Sequence, residues 1–232
     1  MSTVRGARER ARIEVTAAIK DEARRALAAE GAAKLSLRAV ARELGMVSSA
    51  LYRYFPSRDE LLTALIIDAY DSVGAVAEAA DAEALAAGAP PRARWLAVCT
   101  AIRGWALAHP HEYALIYGSP VPGYSAPLDT VGPASRAAET FIGILRAAHA
   151  GRGLALPPLP GNLRPEARRM AADFDEGLPP EVAAALVATW AQLFGLISFE
   201  LFGQFERVVE ERDAFFAYAA DRLGREVGLP LV

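Results

Sequence analysis

Cysteine is nearly missing from this chain. Cys99 alone among 232 residues excludes an internal disulfide and makes a reducing cytoplasm the default compartment. Histidine is scarce too. His109 and His111 form an i, i+2 pair that Pro110 interrupts, so they share no helix face, and no cysteine or carboxylate cluster completes a metal set with them. No metal and no cofactor are expected. The sequence also lacks a paired-carboxylate cluster, a nucleophile elbow and a phosphate loop, which argues against an enzyme. No alternating strand pattern and no internal repeat occur. The first twelve residues are polar and arginine-rich with no apolar stretch behind them, which predicts a loose basic arm, either solvated or touching phosphate, and no signal peptide.

What is present is an apolar fraction of 53%, ample for a packed core. The net charge of −3 by itself argues against nucleic acid, but its distribution does not. Residues 1–60 hold 12 Lys+Arg against 8 Asp+Glu, a balance of +4. That leaves 13 of the 25 basic and 20 of the 28 acidic residues, −7, for the rest. A basic head on an acidic body localises phosphate affinity to the head. Lysine occurs only at positions 20 and 34; arginine supplies the rest, which suits bidentate phosphate and guanine contacts.

Apolar periodicity predicts an all-α fold. Val15, Ile19, Ala23 and Leu27 mark a first helix over about residues 11–30, which Gly31 ends. Leu37, Val40, Ala41 and Leu44 then share one face of a short helix, and Gly45 supplies the backbone freedom to stop it. Ser48 is placed to cap a very short third helix, running to about Tyr54, on the N–H of Ala50 or Leu51. Its buried face would be Leu51 and Phe55, leaving Ser49, Ala50, Tyr52, Arg53 and Tyr54 mostly outside. A short helix of this kind, braced by the one before it, fits the second helix of a helix-turn-helix. Ser57 and Glu60 form a capping box that opens a fourth helix.

Residues 87–91 break the pattern. A helical face of Trp95, Val98, Cys99, Ile102, Ala106 and His109 follows, then a short helix through Tyr113 and Tyr117 and a loop over 118–127. Residues 133–150 read as helix, residues 151–165 as an exposed proline- and glycine-rich segment, and two last helices span about 180–204 and 206–227. Residues 182–199 carry no charge, which is long enough to raise a membrane span. The alanine content, the polar Thr189, Gln192 and Ser198, and the flanking Glu181 and Glu200 favour a helix buried on two sides instead. No membrane partner is expected.

The pattern Leu35, Ser36, Leu37, Val40, Ala41, Leu44, Gly45, Ser48, Ala50, Leu51, Tyr52, Tyr54, Phe55, Ser57, Leu61, Leu62 resembles the DNA-binding domain of TetR-family transcriptional regulators. Trp105, His109, Pro110, Tyr113, Tyr117, Gly118, Pro120 and Tyr124 resemble the WHG-type regulatory domain found on some of them. The resemblance implies an N-terminal three-helix helix-turn-helix domain over residues 1–75. A helical-bundle ligand-binding and dimerisation domain over 76–232 would follow.

It implies DNA contacts from Ser36, Arg38, Val47, Ser48, Ser49, Ala50, Tyr52, Arg53, Tyr54 and Arg58. It implies a small apolar or aromatic effector against Trp105, His109, Tyr113, Tyr117, Trp190 and Phe194, although aromatics at such spacing serve equally as core. A homodimer would form through the last two helices and bind a double-stranded DNA operator, in the bacterial cytoplasm. The rival readings are a helical-bundle enzyme and a ligand-binding module with a degenerate helix-turn-helix.

Overall fold

The computed structural model describes residues 2–174 and 177–230, with side chains from residue 6 onward. Met1, Asp175, Glu176, Leu231 and Val232, which fall within the two predicted domain spans, lie outside the described residues. The helices are α1 (Ser2–Glu30), α2 (Leu37–Glu43), α3 (Ser48–Leu51), α4 (Arg58–Ala86), α5 (Pro91–Ala108), α6 (Pro110–Tyr117), α7 (Val131–Ala150), α8 (Arg164–Phe174), α9 (Pro180–Leu201) and α10 (Arg212–Glu226). Among the described residues there is no strand. Two compact units result: residues 1–71 with 109–133, and residues 72–108 with 134–232.

In the first unit, Ile19, Ala23 and Leu27 of α1, Leu37, Val40 and Ala41 of α2, Leu51 and Phe55, and Leu61, Leu62 and Leu65 of α4 form one apolar core. α1 starts well before residue 11: the stretch from Ser2 onward contains no proline and is rich in arginine, glutamate and alanine, so the helix continues where a loose arm is predicted. Lys20 and Arg24 both reach Asp68 of α4, at 2.8 and 2.6 Å. Ser57 Oγ accepts the Glu60 N–H at 3.1 Å, which starts α4 where the capping box places it.

In the second unit, Trp95 packs 4.5 Å from Phe141 and donates its indole N–H to the Ala220 carbonyl of α10. α4 and α7 meet at Gly74, where a Cβ would stand 2.7 Å from the Arg136 Cβ. Three arginines of α5 are buried, each in a two-pronged bond to a carboxylate on a different helix. Arg92 grips Asp221 of α10 (2.6 and 2.5 Å), Arg94 grips Asp81 of α4 (both 2.8 Å), and Arg103 grips Glu200 of α9 (both 2.7 Å). Arg103 also lies 5.1 Å from the centre of the Phe216 ring. Cys99 is fully buried, and burial pushes its thiol far up, so it stays protonated.

α8 follows the predicted exposed segment and escapes the periodicity reading because its buried stripe is only Ala167 and Ala171. α9 stops at Leu201 and α10 starts at Arg212. The predicted boundaries, near 204 and 206, give way to turns through Gly203 and Arg207, both with positive φ. α9 is 22 residues long with mean hydropathy 1.8, enough by length and composition to cross a membrane, a test that core helices also pass. Here Leu186, Leu193 and Ile197 are packed in the unit and Glu200 is buried in its bond to Arg103.

Two stability tests follow. Arg103→Met leaves the Glu200 carboxylate buried without its fork and should cost about 3–5 kcal/mol. Adding Glu200→Leu should recover much of that in urea unfolding; a double variant no more stable than the single one contradicts the account.

The hydrogen bonds from Arg92 hold the Asp221 carboxyl below its ordinary range, outweighing the effect of burial, with the Arg92 and Arg225 charges adding to them. A carboxyl depressed by folding stabilises above its unfolded value, about pH 4, and loses that contribution as pH falls through the folded value. The stability gap between the parent and Asp221→Asn should therefore be widest near neutral pH and close on acidification, as followed by urea midpoints across pH.

Candidate nucleic-acid interface

Ser36 opens α2. Its Oγ accepts the Ala39 N–H at 3.5 Å, so the hydroxyl sits at the exposed head of the helix. The helix ends in a Schellman turn: Gly45, at φ +64°, donates to Arg42 O at 3.0 Å, and Met46 donates to Ala41 O at 2.8 Å. That turn sets the direction in which α3 leaves. Ser48 does not cap α3. Val47 is the capping residue and makes no side-chain bond; its carbonyl accepts the N–H of Ala50 (2.9 Å) and Leu51 (3.4 Å). The serine enters one residue late, as the first helical residue. After Leu51 the chain tightens, with Tyr54 donating to Leu51 O at 2.8 Å and Phe55 to the same oxygen at 3.1 Å.

Leu51 is fully buried and Phe55 nearly so, as the spacing predicts. Val47 (69%), Tyr52 (40%), Ser49 and Arg53 are exposed, as are Ser36 and Arg38 on α2. Ser48 and Ala50 are half-buried. Tyr54 is not outside: it is half-buried and packs against the core of the unit. Arg58 is also engaged. Its Nη2 donates to Ala32 O at 2.9 Å and Ala33 O at 3.4 Å, and its Nη1 lies 3.5 Å from Asp59. It ties the 3-10 turn Ala32–Lys34 to the head of α4.

Two arginines of the basic first segment, which the sequence does not single out by position, stand here. A cleft of about 380 Å³ is lined by Arg8, Ala11, Arg12, Val15, Arg53 and Tyr54. The i, i+4 spacing of Arg8 and Arg12 was the available signal, but it acts only on a formed helix. Three guanidiniums and a phenol around one cleft make a surface suited to phosphate oxygens.

The six aromatic and histidine candidates divide between the units. In the first, Tyr113 is fully buried with its ring 5.2 Å from Tyr117, and Tyr70 meets Tyr117 edge-on at 6.0 Å. Burial, with Tyr70 and Tyr113 beside it, pushes the Tyr117 hydroxyl far up. His109 caps the start of α6 and is exposed, so it is not on the buried stripe of α5. In the second unit, Trp105 donates to Ser72 Oγ at 2.8 Å, and the Trp190 and Phe194 rings meet at a 44° tilt with centroids 4.6 Å apart.

A three-helix head with a Schellman-turned helix pair and an exposed polar and aromatic edge is the helix-turn-helix class. Residues 19–65 match the family described as bacterial regulatory proteins, tetR family; residues 95–223 match a tetracyclin repressor-like C-terminal domain. Over 212 residues, 86% of either chain, the sequence is 41% identical to the HTH-type transcriptional regulators Mb1846 of Mycobacterium bovis and Rv1816 of Mycobacterium tuberculosis. The solved structure of SCO4313, described as a regulatory protein, is 35% identical. It aligns with a TM-score of 0.74 over 93% of this chain and 97% of that one. The chain belongs to the TetR family of helix-turn-helix transcriptional regulators, a family of non-enzymes.

The Arg58 bonds generate a distinction. If Arg58 positions the head of α4, Arg58→Ala should lower the melting temperature and weaken DNA binding while leaving the salt slope unchanged. Loss of a phosphate contact would instead reduce that slope by about 1. Anisotropy titrations at several salt concentrations read the difference.

Proposed function

We propose that this TetR-family protein is an effector-responsive repressor that binds a palindromic operator as a homodimer, in the bacterial cytoplasm. The observation that carries the reading is the exposed edge of α3 and its flanks. Leu51 and Phe55 are spent on the core, and Ser49, Tyr52 and Arg53 face outward beside Val47. Ser49 and the half-buried Ala50 are small enough to admit the helix to base edges, where Ala50 can touch a thymine methyl and Arg53 a guanine. Ser36, Arg38, Ser48, Tyr52 and Tyr54 serve phosphates or adjoining bases. Arg8 and Arg12 extend the phosphate surface along α1. Arg58 acts through position.

The dimer reading rests on apolar surface left over in the second unit. Val187, Phe199 and Phe202 along α9 and just past its end, with Phe215 and Tyr218 on α10, are each more than a third exposed. Phe199, Phe215 and Tyr218 line a cleft of about 410 Å³. A contiguous apolar face of this kind marks an interaction surface. A two-fold partner offering the same two helices would cover it and set two recognition helices about 34–36 Å apart, one turn of DNA. The effector, small and apolar or aromatic, engages Trp105, His109, Tyr113, Tyr117, Trp190 or Phe194. It acts only by binding the DNA-incompetent state more tightly than the competent one.

The test combines sedimentation with operator binding, using DNA from upstream of the gene. The parent should sediment as a dimer and bind in a salt-steep manner. Phe199→Glu with Tyr218→Glu should yield a folded monomer whose operator affinity falls by at least about tenfold. A monomeric parent, or a charged variant that remains a dimer, counts against the interface; a dimer without sequence-specific DNA binding counts against the operator reading.

A further inference from the structure

Among the described residues, the arginines of the first unit fall into two groups. Arg24, Arg25, Arg42 and Arg58 each meet a carboxylate: Asp21 and Asp68, then Glu22, Glu43 and Asp59. Arg8, Arg10, Arg12, Arg38 and Arg53 are exposed and meet none. Of this second group, Arg8, Arg12 and Arg53 line one cleft, with Ala11, Val15 and Tyr54 between them and no acidic side chain. A neighbouring cleft along α1 sets Glu9, Asp21 and Asp68 against Arg12, Lys20 and Arg24, so its charges balance. The cleft at Arg53 has no such balance.

The floor of that cleft is fixed and its rim is free. Val15 and Tyr54 are half-buried against the apolar core of the unit. Residues 7–14 are exposed at every position, so α1 runs on for about 12 Å without packing on that core. The core therefore gives no reason for Arg8 and Arg12. They stand one helical turn apart, and like charges at that spacing weaken a helix. An anion from outside removes the conflict.

The position of the cleft selects the anion. Arg53 and Tyr54 directly follow the exposed edge of α3, so an anion held here lies beside whatever that edge meets. Exposed guanidiniums on an open rim suit a strand of phosphates passing through. Arg8 and Arg12 are about 6 Å apart along α1, and the phosphates of one strand advance about 3.4 Å each along a duplex, so the pair covers two of them.

We propose that the exposed start of α1 is a second DNA-contacting element, in which Arg8 and Arg12 clamp phosphates of one strand outside the groove that α3 enters, with Arg53 and Tyr54 as the inner side of the clamp. The clamp rests on the operator reading above and adds to it a contact that supplies affinity without reading sequence.

The test compares the parent with Arg8→Ala/Arg12→Ala and with Arg8→Lys/Arg12→Lys. Anisotropy titrations at several salt concentrations use DNA from upstream of the gene and a scrambled duplex of equal length. Both positions are exposed and alanine favours helix, so the melting temperature should stay at the parent's value. The alanine pair should reduce the salt slope by about 2 per protomer. It should weaken both duplexes by the same factor, at least about tenfold at low salt. The lysine pair should keep the parent's slope, since a point charge still holds a phosphate.

An unchanged slope in the alanine pair, with the parent binding its upstream DNA, overturns the clamp and leaves the operator reading standing. A loss confined to the upstream duplex makes these arginines readers of bases and overturns it too. So does a lysine pair that loses slope as the alanine pair does. A parent that binds neither duplex at any salt refutes the operator reading itself, and the clamp with it.

Discussion

The burial of Leu51 and Phe55 is the constraint on which the exposed edge of α3 depends. α3 is four residues long, far below the length at which a helix persists alone in water. It exists because Leu51 is removed from water entirely, a gain of about 1.5–3 kcal/mol, and because the carbonyl of Leu51 closes the next turn onto Phe55. Once those two side chains are fixed, the period of the helix leaves Ser49, Tyr52 and Arg53 no inward direction. The Schellman turn at Gly45 then fixes the heading of α3 from α2. The exposed edge is thus a by-product of packing, and its geometry is as rigid as the core beneath it.

The second unit solves a different problem. Its helices are rich in alanine, and alanine faces slide easily because they lack knobs. α5 is held in rotation and register by Arg92, Arg94 and Arg103, whose carboxylates lie on three separate helices, α10, α4 and α9. A turn of α5 about its axis, or a slip along it, breaks all three forks at once and leaves buried charges behind. Such bonds add little net stability over apolar replacements, but a single packing satisfies them.

The head was the more legible part of the chain because its signals are local. The i, i+3, i+4 stripe of α2, the glycine at 45 and the serine three residues before Glu60 each act within a turn of the backbone. The misreadings have physical causes of the same kind. Ser48 lost its capping role because the carbonyl of Val47 starts the helix one residue earlier than a serine cap requires. Tyr54 was read as outward, but the tight turn after Leu51 swings it against the core. Arg8 and Arg12 were read as a loose arm because the segment carries no apolar stripe for periodicity to follow, although its proline-free, alanine-, arginine- and glutamate-rich composition favours helix. Arg92, Arg94 and Arg103 were invisible as core, since an arginine in a sequence reads as surface until its carboxylate is located. Those partners are 13 to 129 residues away.

α9 shows where composition stops and packing takes over. A charge-free run of 18 residues fits a lipid-spanning helix and a doubly buried core helix equally well, because both environments reject charge. What separates them is the treatment of the polar groups on the helix. Thr189 is buried and returns its hydroxyl to the carbonyl of Leu186 at 3.0 Å, which either environment permits. Glu200 is different: it is almost fully enclosed and met by two arms of a guanidinium from α5. That pairing needs a neighbouring helix of its own unit on one side. The exposed Val187 and Phe199 lie outside that set of contacts. The apolar excess of α9 is therefore divided between a face packed within its unit and a face that stays exposed, so only the first accounts for its share of the charge-free run from within the unit.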